Sequence, residues 1–220
     1  MLQPPPEAPA SLSNLLSIPM GSTTLYRVWR AEGQTQRDAP WWFSSVLGEA
    51  GGRFDLVEPL GTMYTATSRV AALLEALQST LLSLPFEELQ VRRLAIIAVP
   101  SAVPPAADLC DGTVAGVGIT AAIWAGPNRS LTQSWAAAIR RDGWWSLHAG
   151  IQHDPSGQLR AVAVFGSAGS AAPSLGGEWE YLSETIHDDL GVLDELAEFG
   201  VHVRQSGELP ILDDAPESIL

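Results

Sequence analysis

The chain has 220 residues, 46% of them hydrophobic, and a formal net charge of −13, set by 25 acidic residues against 12 arginines with no lysine. That composition supports a core in one domain, or one domain with a small appendage, and excludes wholesale disorder. It argues against nonspecific nucleic-acid binding and against an anionic membrane surface, both of which need a basic face. Cys110 is the only cysteine, so no intrachain disulfide framework exists, which fits a reducing, cytoplasmic setting. The first residues lack a basic n-region and a long apolar run, and no stretch reaches the roughly 18 apolar residues of a membrane span.

In chain order, residues 1–20 are rich in proline and read as an extended arm. Residues 23–30 alternate and favour a strand, with Leu25, Arg27 and Trp29 on one face and Tyr26, Val28 and Arg30 on the other. A polar loop through Trp41 and Trp42 leads to Gly51 and Gly52, whose backbone freedom allows a close approach. Residues 61–66 read as a short strand. Thr67 or Ser68 then caps a helix over 69–84 with Val70, Leu73, Leu74, Leu77 and Leu81 as its apolar stripe. Residues 91–99 and 160–165 read as buried strands and 134–141 as a short helix. The small-residue run 167–177 reads as a hinge before an acidic amphipathic helix over 180–199, its stripe formed by Leu182, Ile186, Leu190, Leu193 and Leu196. Residues 177–220 hold 12 acidic residues against one arginine, Arg204, and the last residues read as frayed. The domain plan is therefore an arm (1–20), a catalytic body (21–166) and an acidic extension (167–220).

One polar group resists a purely structural explanation. Arg53, Tyr64 and Glu75 stand at equal steps of 11 residues, downstream of Arg27 in its apolar strand. Taken singly, each has a plain reading: a paired buried arginine, an exposed turn arginine, a half-buried tyrosine, a helix-surface glutamate. Together they suit a ligand with two negative phosphates and a cationic leaving group. Arginine forks would grip the diphosphate, and the carboxylate would stabilise an oxocarbenium-like ribosyl centre or orient a water. The glycine-rich 112–118 lacks the spacing and the lysine of a phosphate loop. His148, His153 and Asp154 do not form a spaced ligand set, so no metal is expected.

The segments LYRVWR (25–30), GGRFD (51–55), GTMYTA (61–66), AALLEAL (71–77), TQSWA (132–136) and HDPSG (153–157) before AVAVF (161–165) resemble, in order and spacing, the RES-domain proteins. These are usually toxins of bacterial toxin–antitoxin pairs. The resemblance implies an α+β, ADP-ribosyltransferase-like fold: two small, mostly antiparallel sheets around a cleft, with flanking helices. It implies NAD as substrate, cleavage of the nicotinamide–ribose bond, and an antitoxin partner with an Xre-like domain. By the same resemblance the family arginine falls on Arg27, the glutamate on Glu75, the second arginine on Arg53 and the pocket tyrosine on Tyr64. The family serine does not fall on a serine: aligned without gaps on residues 153–155, its place is taken by Ile151. Ser146 or Ser156 takes that part if the loop shifts, and Ser146 is counted with the ligand-binding residues.

Three readings follow: an NAD-cleaving enzyme; a RES-like module without chemistry that binds a nucleotide or a protein, motivated by Ile151; and a toxin masked by its own acidic extension or proline arm. A homo-oligomer is left open.

Overall fold

A computed structural model describes residues 2–6, 12–31, 40–78 and 83–204. In chain order the elements are β1 (Ser17–Ile18), β2 (Thr24–Arg30), β3 (Leu60–Ala66), α1 (Arg69–Leu77), β4 (Leu84–Pro85), α2 (Phe86–Gln90), β5 (Arg92–Ala98) and β6 (Ala106–Asp108). A 3-10 segment (Gly112–Val117) follows, then α3 (Ala122–Ala125), α4 (Arg129–Arg141), β7 (Ser146–Gly150), β8 (Arg160–Ser167), β9 (Glu180–Thr185), α5 (Leu190–Glu198) and β10 (Val203–Arg204). The class is α+β, as expected. Among the described residues, no helix is long and apolar enough to cross a membrane.

The sheets are unequal in size. Eight strands join in the order β1-β6-β7-β8-β3-β2-β5-β9, while β4 and β10 form a parallel pair. The large sheet is nearly split in two. β2 pairs with β5 along its whole length, and β3 does the same with β8. Between β2 and β3 the register holds only at Tyr26 and Ala66. Two half-sheets, antiparallel apart from the parallel β6–β7 pair, therefore meet at one bridge, and where they part the cleft opens.

Alternation on β8 shows why the cleft has room. Val162 and Val164 point into a core with Leu25, Met63, Ala95 and Ile97. Ala161 and Ala163 face the other side, where their short side chains form the cleft floor with Ala66 and Ala149. Two further cores flank that floor. One packs Trp135, Ala136 and Ile139 of α4 on Leu147 and Phe165. The other packs α1 and α5 on Leu94, with Ile151 and Ile186 filling the seam.

Several sequence expectations change. The predicted helix over 180–199 is an edge strand and then a shorter helix. Tyr181, Thr185 and Ile186 favour a strand, and Asp189 starts α5 by accepting from the Gly191 and Val192 amides at 3.0 and 3.2 Å. Leu182 and Leu190, placed on one apolar stripe by helical spacing, are 70% and 75% exposed. α1 is capped by Ser68 and ends at Leu77, and Leu84 already belongs to β4. Residues 79–82, including Leu81, lie outside the described residues. α4 begins earlier than expected, under an Asn128 cap, and residues 146–150 form a strand that periodicity did not reveal. The expected frayed end, 205–220, also lies outside the described residues.

Candidate active site

The cleft between the half-sheets has a volume of about 420 Å³, within the roughly 300–1,000 Å³ usual for ligand pockets. Arg27, Arg53, Tyr64 and Glu75 all line it. Ser146 and Ser156 do not. The Ser146 side chain is buried on β7 with its Oγ unpartnered among the described residues. The Ser156 hydroxyl is spent on Asp154 in the turn that leads into β8. The HDPSG motif is thus a structural turn. The Ser156 and Leu159 amides, at 2.9 and 2.6 Å, hold Asp154 in place. Burial presses that carboxyl upward, but these hydrogen bonds prevail and leave it below its ordinary range.

Arg27 sits where the strands part. Its Nη1 donates to the Tyr64 carbonyl at 3.0 Å, an acceptor that an ordinary β2–β3 ladder would have used. Its Nε is sealed from solvent and has no hydrogen-bond partner among the described residues. Burial lowers its pKa to about 10, with Tyr64 opposing, so the side chain stays cationic at neutral pH.

Arg53 is held at both ends. Nη1 donates to the Gly126 carbonyl and Nη2 to Gln152 Oε1 at 2.7 Å. Burial first and then the neighbouring Arg129 lower its pKa to about 10, while Glu75 and Tyr64 pull the other way. Glu75 Oε1 accepts from the Gln152 amide at 3.3 Å. Burial raises the Glu75 carboxyl above its ordinary value, against the opposing effects of that amide, His153, Arg53 and Arg129. Gln152 therefore touches both the second arginine and the glutamate. Ile151, beside it, points the opposite way into the α1–α5 core and is 4% exposed.

The GGRFD loop is fixed by residues that sequence reading passed over. Asp55 is fully buried. Its Oδ1 accepts from the Tyr64 hydroxyl at 2.8 Å, and its Oδ2 from Ser44 Oγ at 2.6 Å and the Gly52 amide at 2.9 Å. Burial, then the Asp55 charge and its hydrogen bond, push the Tyr64 phenol well above its ordinary pKa. A Cβ on Gly52 would fall 2.3 Å from that hydroxyl, so the position requires glycine. From α4, Gln133 Nε2 donates to the Gly52 carbonyl at 2.9 Å, and its Oε1 accepts from the Gly48 amide at 2.8 Å. Thr132 Oγ1 reaches the Arg53 carbonyl at 2.6 Å. The TQSWA motif is the clamp on the arginine loop. Trp124 and Arg129 also line the cleft, and neither is among the candidates expected from the sequence. Their signal was the run 124–129, where a tryptophan, a helix cap and an arginine fall together.

Among the described residues, one group has metal-ligand character: Asp108, Cys110 and His148, with donor atoms within 4.8 Å of one another. None of the three lines the cleft. Asp108 is hydrogen-bonded to His148 Nδ1 at 3.0 Å, and burial raises the Cys110 thiol, which keeps it protonated.

The family model of the RES domain matches residues 25–183. This chain belongs to the RES domain family. The match begins in β2 and ends within β9, so this RES domain takes in the edge strand that follows the small-residue run. A solved structure described as the crystal structure of the M. tuberculosis MbcT–MbcA toxin–antitoxin complex has a similar fold, with a TM-score of 0.52 and 17% identity. The alignment covers 89% of this chain and 96% of that one. Comparison with curated proteins finds no match.

Proposed function

We propose that this RES domain cleaves the nicotinamide–ribose bond of NAD and acts as the toxin of a toxin–antitoxin pair. The observation that carries the reading is the meeting of Glu75 with Arg27, Arg53 and Tyr64 in one cleft, the glutamate and Arg53 both tied to Gln152. The arginines would hold the pyrophosphate through charge-assisted hydrogen bonds. The Glu75 carboxylate would face the ribose, where positive charge develops as the C–N bond breaks and the bonding pair leaves with nicotinamide. Water would then add to the ribosyl carbon and release a proton, giving ADP-ribose. Phosphate in place of water would give a phosphorylated product, and a protein side chain an ADP-ribosylated one.

Partner and substrate rest on family membership. RES-domain proteins characterised so far consume NAD, and the similar fold described above comes from a toxin–antitoxin complex. A protein antitoxin, with an Xre-like domain in the family pattern, is the partner this reading expects. Release of free nicotinamide by the purified protein tests the activity. We expect release from the wild type and its loss in Glu75→Gln; equal release by both would remove Glu75 from the chemistry.

One observation favours a second reading. Where the family serine is expected, Ile151 is buried in the core and offers no hydroxyl to the cleft. A binding module without turnover would show a thermal shift with ADP-ribose and NAD yet release no nicotinamide.

A further inference from the structure

We infer that Arg129 joins Arg53 to form the cleft's anion-binding pair, with Arg27 apart from it at the strand seam. This rests on the reading that the cleft takes a phosphorylated nucleotide. It changes which side chains grip the phosphates.

The geometry places Arg129 and the anchor of Arg53 on one short segment. Arg53 donates to the carbonyl of Gly126, three residues before Arg129, the first residue of α4. Trp124, two residues before Gly126, also lines the cleft, and its indole lies over Gly150, where a Cβ would come within 2.6 Å of Nε1. Residues 124–129 thus supply an aromatic ring, an anchor for one guanidinium and a second guanidinium to the same wall.

Charge supports the assignment. Arg27, Arg53 and Arg129 line the cleft with a single carboxylate, Glu75. Among the described residues, no ion pair involves any of the three arginines. Besides burial, Arg129 depresses the pKa of Arg53, whereas no second arginine acts on Arg27, whose shift comes from burial with Tyr64 opposing. Two like charges close enough to oppose each other, in a partly desolvated wall, form a site that an anion relieves. With both arginines and Arg27 cationic and Glu75 ionised, the lining carries a formal surplus of two positive charges, the complement of a diphosphate.

The test is calorimetric titration of the purified protein with ADP-ribose and with inorganic pyrophosphate, at several salt concentrations, on wild type, Arg129→Gln and Arg129→Lys. We expect Arg129→Gln to weaken both ligands about tenfold or more and to flatten the salt dependence, with Arg129→Lys recovering part of the loss. Melting curves check that each variant is folded. Where wild type releases nicotinamide, KM should rise in Arg129→Gln while kcat holds within about threefold. Unchanged ADP-ribose binding by folded Arg129→Gln overturns the pair, and so does failure of the wild type to bind either probe. ADP-ribose binding that depends on Arg129, without nicotinamide release, keeps the pair and sinks the enzymatic reading.

Discussion

The Tyr64 hydroxyl is committed inward: it donates to Asp55 Oδ1 and accepts from the Phe54 amide, each at 2.8 Å. Its ring is what remains for a ligand, and its hydroxyl holds the arginine loop. Tyr64→Phe should therefore act first on stability. It leaves a backbone amide and a buried carboxylate short of a partner, a loss of about 1–3 kcal/mol in urea unfolding. Asp55→Ala, which also frees Ser44 Oγ and the Gly52 amide, should cost more. A Tyr64→Phe protein as stable as wild type, but unable to bind ADP-ribose, would place the hydroxyl in ligand recognition instead.

Glu75 should show opposite pH effects on folding and on function. Its folded carboxyl titrates above the ordinary 4.5, so the native state holds the proton more tightly than the unfolded chain. The stability this group adds is present below pH 4.5 and is lost as pH rises through the elevated value. Glu75→Gln should thus melt higher than wild type at pH 7, with the advantage vanishing below about pH 4. Nicotinamide release by wild type should rise with pH through that same elevated value, because the ionised form stabilises the ribosyl charge.

Gln133 is the clamp whose removal should loosen the arginine loop without removing a side chain that lines the cleft. Its amide serves the Val46, Gly48 and Gly52 carbonyls and the Gly48 amide. Gln133→Ala should cost about 2–3 kcal/mol. In hydrogen exchange, the amides of residues 48–53 should lose protection before those of α4 do.

Ile151→Ser tests whether the missing serine can be restored. The side chain is 4% exposed in the α1–α5 core, so the change removes buried apolar area and buries a hydroxyl. We expect about 3 kcal/mol of destabilisation and no gain in nicotinamide release. A tenfold gain would mean that this strand end turns toward the cleft in the working enzyme.

Arg27, Arg53, Tyr64 and Glu75 were legible because each interrupts an apolar or glycine pattern: Arg27 between Leu25 and Trp29, Arg53 after two glycines, Glu75 on an apolar helix. The clamps were harder to see. Asp55 and Gln133 sit in ordinary-looking loop and helix positions, and their weight comes from hydrogen bonds closed over long sequence separations. The error over 180–199 has a different cause. Leu182, Ile186, Leu190 and Leu193 mimic a helical stripe, while a tyrosine, a threonine and a capping aspartate favour a strand and a later start. The strand 146–150 stayed hidden because its apolar residues are few and its pairing partners are distant in sequence.

The lone bridge between Tyr26 and Ala66 gives Arg27 a mechanical duty besides any contact with substrate. A guanidinium stands where a backbone amide would otherwise close the ladder, wedging two ribbons apart like a keystone. Shorten that side chain and the natural fate of adjacent strands is to zip together, so the mutant would lose the hollow itself and not merely one of the groups that furnish it.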